Sequence, residues 1–169
     1  MWGNNLMGKH IFVINGTGGA GKDTFVKFVS GYVPSVNFSS VDKVKEIAAV
    51  IGWTGTKTEK DRKFLSDLKQ LAADYCDMPF KSMERKAEEF YKDNNKFLFL
   101  HIREPHEIER AVHKFNAKTV LITREAAGII TSNHSDRDVS CYGYDFTIEN
   151  NGTLEELNKK AGEFAKLFL

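Results

Sequence analysis

Gly16-Thr17-Gly18-Gly19-Ala20-Gly21-Lys22-Asp23-Thr24 is the stretch whose reading decides the fold. An apolar run, His10-Ile11-Phe12-Val13-Ile14-Asn15, leads into it. A helical pattern with Phe25, Val26, Phe28, Val29 and Tyr32 on one side leads out. Strand, glycine loop and helix in that order are the context a phosphate-binding loop requires. Glycines let the backbone turn back, so that several N–H groups point inward at one anion. The positive end of the following helix adds to the attraction. Lys22 supplies a point charge that reaches the outer phosphates of a nucleotide. A glycine-rich turn with an incidental lysine is the plainer alternative, but it does not account for this spacing after an apolar strand.

The strict form of the motif places Ser or Thr directly after the lysine, to meet magnesium. Here Asp23 holds that position and Thr24 comes one later. The spacing Gly-Lys-x-Thr resembles the loop of nucleoside monophosphate kinases, where the late threonine serves the α-phosphate. It is less similar to the loop of switch GTPases, and no Asn-Lys-x-Asp guanine motif occurs. Asp23 either approaches a metal, directly or through water, or stabilises the first helical turn.

The rest of the chain is read outward from this loop. A short run at Val36–Ser40 suits a second strand, and Val41, Val44, Ile47, Ala48 and Ile51 share a helical face. Thr58 followed by Asp61 signals a helix start, and Phe64, Leu65, Leu68, Leu71, Ala72 and Tyr75 line that helix. Pro79 suits the first turn of a further, polar helix to about Tyr91. Lys96–Ile102 is the clearest buried strand, nearly continuous in its apolar character. A helix with Ile108, Ala111, Val112 and Phe115 follows, then a strand at Lys118–Arg124. Residues 125–141 are polar and irregular. Tyr144–Asn150 is the last strand, and Thr153 with Glu156 forms a capping box for a final helix.

Alternating strands and helices predict an α/β fold: a three-layer P-loop NTPase fold with a roughly five-stranded parallel sheet, helices on both faces. Right-handed crossovers bring the strand C-terminal ends to one edge, where the ligand crevice of such a sheet lies. The 169 residues read as one domain, with a substrate-side helical segment at about 41–92 and a short lid at about 125–141.

Charge is balanced, 24 basic against 23 acidic residues, net +1, so nothing favours a general nucleic-acid or membrane surface. Cys76 and Cys141 lack metal-ligand spacing, and reduced thiols in a cytoplasmic protein are the plain reading. The N-terminus has no signal-peptide pattern, and no apolar run is long enough for a membrane helix. The expected partners are a small-molecule nucleotide and no macromolecule beyond a second copy, as a monomer or a homodimer.

Phosphoryl transfer needs positioned phosphates, neutralised charge and excluded water. Arginine suits it because its fork grips phosphate oxygens in two places. Only six arginines stand against eighteen lysines. Arg103 and Arg124 each end a predicted strand, on the ligand edge. Arg62 lies at a charged helix start, and Arg137 in the irregular segment, where each is equally readable as a solvated charge. Asp42 follows the second strand and either contacts substrate or caps its helix. His101 ends the central strand, where a structural histidine is the plain role. Trp53 and Phe38 are candidates for base stacking, though packing is the commoner fate of such rings.

Four stretches together resemble the phage-type deoxynucleoside monophosphate kinases, within the nucleoside monophosphate kinase group. They are Gly21-Lys22-Asp23-Thr24, then Ser39–Lys45 with Trp53–Arg62, then Ile102-Arg103-Glu104-Pro105-His106-Glu107-Ile108, and finally Asn133–Asp136 with Tyr144–Phe146 and Asn150–Leu157. The resemblance spans nearly the whole chain. It implies transfer of the ATP γ-phosphate to a (deoxy)nucleoside monophosphate, with Mg2+. Gly16, Gly18, Gly19, Ala20, Gly21, Lys22, Asp23 and Thr24 are then the ATP-binding loop. Asp42, Arg62, Arg103 and Arg137 fall on the substrate side, with Arg137 and Arg124 toward the lid. Lys22, Arg103 and Arg124 become the catalytic set, and Asp23 the candidate metal ligand. The departure is His101, where that family's pattern has aspartate; an imidazole is no substitute for a hard oxygen ligand. Two alternatives remain open: a kinase of another small phosphorylated metabolite such as dephospho-coenzyme A, and a catalytically weak ATP-binding regulatory protein.

Overall fold

A computed structural model describes residues 8–127 and 142–169. Five parallel strands form one sheet in the order β2-β3-β1-β4-β5. They are β1 His10–Asn15, β2 Ser35–Ser39, β3 Phe97–His101, β4 Lys118–Thr123 and β5 Phe146–Glu149. The helices are α1 Lys22–Ser30, α2 Asp42–Ile51, α3 Glu59–Cys76, α4 Met78–Lys92, α5 Pro105–Phe115 and α6 Leu154–Lys166. This is the α/β fold that the alternation predicted, with each strand within two residues of its expected ends. None of the described helices is long and apolar enough to cross a membrane.

Side chains of a strand alternate between sheet faces, so the apolar run of β3 splits its residues between two cores. Phe97 and Phe99 join Phe12, Ile14, Phe25, Val29, Leu157 and Phe164 on the α1–α6 side. Leu98 and Leu100 join Ile11, Val13, Phe80, Met83, Phe90 and Ile108 on the α4–α5 side. Phe12 is the centre of an aromatic cluster, with ring centroids 5.1 Å from both Phe97 and Phe164 and 4.9 Å from Phe168. Both expected capping boxes form: Thr58 with Asp61 opens α3, and Thr153 with Glu156 opens α6.

One helix packs more deeply than its polar composition suggests. The helix after Pro79 reads as polar, yet α4 buries Pro79, Phe80, Ser82, Met83, Ala87 and Phe90. Phe80, Met83, Ala87 and Phe90 recur at three- and four-residue steps, so a narrow apolar stripe faces the sheet beneath a charged outer surface. Helix α3 has the richer apolar face but no buried residue, because it rests on α2 and α4 instead of on the sheet.

The register aligns the strand ends. His101 lies level with Ser39 on one side and Ile14 on the other, and Asn15 lies level with Leu121. The glycine loop therefore leaves β1 in the middle of the sheet, flanked by the segments that follow β3 and β4. Phe12→Ala, at a position with no exposure, is expected to cost about 3–5 kcal/mol of unfolding free energy, measured by urea titration.

Candidate functional site

The glycine loop follows from local backbone constraints. Gly16 sits at φ 149°, and a Cβ there would lie 2.3 Å from the Ile122 carbonyl oxygen of β4. No side chain fits, so the loop is free to press against the neighbouring strand. Gly21 caps α1 in the left-handed region at φ 99°, ψ 19°, a conformation that favours glycine. Between them the Ala20 amide donates to the Thr17 carbonyl at 3.2 Å and closes the turn. The opening residues of α1 are Lys22, Asp23 and Thr24, and the N–H groups of a first helical turn lack intrahelical acceptors. Such an end is suited to an anion. The Lys22 ammonium folds across the loop and donates to the carbonyls of Gly16 at 2.5 Å and Thr17 at 2.9 Å.

Two buried asparagines brace this loop. Asn15 accepts from the Gly16 amide through Oδ1 at 2.8 Å. Its Nδ2 donates to the Tyr144 hydroxyl at 2.8 Å and to the Arg103 carbonyl at 3.3 Å. Asn150, at the end of β5, donates to the Ala20 carbonyl at 2.8 Å. Neither stood out as a site residue in the sequence. The available signals were a polar residue closing an apolar strand at Asn15, and the strand-end position of Asn150.

His101 is the meeting point of the predicted residues. The alternation of β3 puts it on the face of Phe97 and Phe99, toward α1. Its Nε2 lies 2.6 Å from Asn37 Oδ1 and 3.8 Å from Asp23 Oδ1. Burial lowers its pKa to about 4, and the nearby charges of Lys22 and Arg103 push the same way, while Asp23 and Asp42 oppose them. The ring is neutral at pH 7. An amide oxygen only accepts, so the proton of this neutral ring sits on Nε2, facing Asn37. Lys22, Asp23, Asp42 and Arg103 are thus gathered around one uncharged imidazole.

Asp42 is engaged in its turn: Oδ2 accepts from the Ser39 amide at 2.8 Å, and Oδ1 faces Lys45 at 3.4 Å. Arg103 lies between β3 and α5 and is partly buried. Arg124 is exposed directly after β4, and Arg62 is exposed in the first turns of α3. Arg137, most of the expected lid, Cys141 and the Asn133–Asp136 stretch lie outside the described residues. An ion cluster that sequence reading missed stands beside Arg103. Lys69 of α3 contacts Glu104 and Glu107, each at 2.8 Å.

The donor set bears on magnesium. Among the described residues no three His, Cys, Asp or Glu side chains group as a metal site. Mg2+ usually keeps several waters and takes one or two carboxylates together with substrate phosphates. Asp23, with its side chain 88 % exposed at the start of α1, fits that limited role. His101 does not, since it offers nitrogen and is already paired with Asn37.

No protein-family model matches the chain, and no curated protein matches it. Among solved structures, shikimate kinase from Aquifex aeolicus aligns with a TM-score of 0.52 at 14% identity, over 93% of this chain and 95% of that one. TT1252 from Thermus thermophilus aligns with a TM-score of 0.48 at 18% identity, over 95% of this chain and 98% of that one. The shikimate kinase likeness is one of fold: this chain has the same α/β architecture with a five-stranded parallel sheet.

The neutral histidine has a consequence for acid stability. Its folded-state pKa lies below the ordinary 6.5, so on acidification the unfolded chain takes up the proton first. The stability contributed by the neutral ring is complete above pH 6.5 and is lost as pH falls to about 4. A displacement of that size corresponds to about 3 kcal/mol. Glu104, held down at about 2, adds a second loss from pH 4.5 downward, while Glu107, raised by burial, opposes it. The melting temperature should drop between pH 6.5 and 4.5, and His101→Gln should flatten that part of the curve. Parallel curves for the two proteins would assign the loss to other groups.

Proposed function

We propose that this chain is an ATP-dependent kinase whose acceptor is a (deoxy)nucleoside monophosphate. The observation that carries the reading is convergence at one sheet edge. The Gly16–Thr24 loop with Lys22, the Arg103 segment after β3 and the Asp42 turn after β2 all meet around His101. A donor-phosphate cradle beside an arginine on a neighbouring strand end suits transfer between two bound phosphorylated molecules.

The work of the chain's own residues follows from their placement. The first amides of α1 and the loop amides bind the donor phosphates. Lys22, now on the loop carbonyls of Gly16 and Thr17, turns from them to the outer phosphate oxygens and offsets charge there. Arg103, braced through its carbonyl by Asn15, is the acceptor-side charge, with Arg62 as its companion on α3. Arg124, exposed beyond β4, belongs to the donor side. Thr24 serves the phosphate nearest the sugar, and Asp23 is the carboxylate offered to Mg2+. The metal supplies neutralisation of the phosphate oxygens when it arrives with the nucleotide. The transfer is in line and forms no covalent enzyme intermediate.

One observation favours a second reading, that of an ATP-binding regulatory protein with weak catalysis. The position at the end of β3 carries a neutral imidazole tied to Asn37, which adds no negative charge for a metal. A dephospho-coenzyme A acceptor remains the alternative within the kinase reading.

The test is ATP consumption with Mg2+ against all ribo- and deoxynucleoside monophosphates, with dephospho-coenzyme A and shikimate in the panel. Turnover is expected with one or a few monophosphates. Lys22→Ala should lower kcat/KM by about a hundredfold or more, corresponding to about 2.7 kcal/mol of transition-state stabilisation. ATP binding without turnover across the panel would favour the regulatory reading. Full turnover by Lys22→Ala would remove the loop from the mechanism.

A further inference from the structure

Helix α3 is poorly embedded for an element assigned to substrate. None of its 18 residues is buried, and Leu71 and Tyr75 are 66% and 88% exposed. Packing on α2 and α4 alone leaves it loosely seated, because burial of apolar surface is what ordinarily fixes a helix. Two polar attachments supplement that packing. At the C-terminal end, Asp77 in the left-handed region pairs with Arg110, whose guanidinium lies over the Phe80 ring. Near the middle, the Lys69 ammonium is shared by Glu104 and Glu107 at 2.8 Å each.

The second attachment is the informative one. The three side chains are only 14%, 31% and 12% exposed, so water screens them weakly. Glu107 is a buried carboxylate in the first turn of α5, and such a group is rarely tolerated without a partner. Glu104 is the residue directly after Arg103 and the N-cap of α5. On α3, Lys69 stands seven residues after Arg62, about two helical turns and so on the same side, roughly 10 Å along the axis. One ionic cluster thus joins the helix carrying Arg62 to the segment carrying Arg103.

We propose that Lys69 is a positioning residue: through Glu104 and Glu107 it seats α3 against the Arg103 segment and sets how Arg62 and Arg103 together meet the acceptor's phosphate. The proposal rests on the kinase reading above for the identity of that ligand, but the seating of α3 is independent of it. An ionic attachment suits an element that must stay close to the ligand edge without being welded to the core. Removing the ammonium leaves the two carboxylates at the start of α5 without a counter-charge and deletes the attraction that holds α3 to that segment.

Two readouts test it on the full chain. Lys69→Met keeps the length of the side chain and deletes the charge. With the monophosphate found in the panel, its acceptor KM should rise about tenfold or more, while kcat and the KM for ATP stay within about threefold. Amide hydrogen exchange over residues 59–76 should accelerate while β1, β3 and β4 keep their protection. Lys69→Arg keeps a cation with two forks and should recover most of the acceptor affinity. Should Lys69→Met fail to fold, Glu104→Gln, at the more exposed arm of the cluster, should raise the acceptor KM about threefold in the same selective way. Equal increases in both KM values, or an unchanged acceptor KM with faster α3 exchange, would reduce the cluster to a structural brace and overturn the proposal. Unchanged exchange of α3 would overturn it whatever the activity. Absence of turnover by the wild-type protein with every monophosphate would instead fall on the kinase reading, taking the arginine part with it, and the exchange experiment would still judge the seating.

Discussion

The amide of Asn15 holds three parts of the ligand edge to one another. It is buried without exposure at the end of β1, where an unpaired amide would be costly. Its oxygen receives the first amide of the glycine loop, and its nitrogen donates to Tyr144 and to the Arg103 carbonyl. The loop, the Arg103 segment and the approach to β5 are therefore bonded to one rigid strand end. Asn150 repeats the device from β5, reaching the Ala20 carbonyl in the middle of the loop. Between these braces the Gly16 backbone passes so close to Ile122 that only glycine is accommodated. The glycine loop is held in shape by its neighbours, and a loop so held would need little ordering to receive a ligand.

Electrostatics at this edge are arranged around a group without charge. His101 feels the charges of Lys22, Asp23, Asp42 and Arg103, and its burial keeps it neutral. A carboxylate there would hold metal or offset the two cations. A neutral imidazole adds no charge to this set. The same edge carries the Lys69–Glu104–Glu107 cluster, in which one ammonium is shared by two carboxylates.

Much of this was legible in the residues. The loop could be read because its chemistry is local: glycines, lysine and the following helix are contiguous, and the strand before them is a plain apolar run. Capping boxes at Thr58 and Thr153 were readable for the same reason, since both partners lie three residues apart. The central strands β1 and β3 announced themselves by continuous apolar runs, and β2, β4 and β5 by shorter or alternating ones between turn signals. The helices were less transparent. Helix α3 shows the richer apolar face in the sequence and α4 reads as polar, yet α4 is the one on the sheet. Amphipathicity states that a helix has something to cover and does not state what covers it. For α3 the cover is two other helices, and its outer side chains stay in solvent.

The sequence by itself determined the α/β class, the parallel sheet and the position of the glycine loop between β1 and α1, because each follows from residues close together along the chain. Tertiary structure alone decided the strand order, the braces from Asn15 and Asn150, the neutrality of His101 and the bond between Lys69 and the Arg103 segment. The Asn15–Tyr144 contact spans 129 positions and the Lys69–Glu107 contact 38. No periodicity or spacing encodes a partner at such distances. The burial that silences His101 is likewise a property of the packed sheet edge and of no neighbouring residue in the chain.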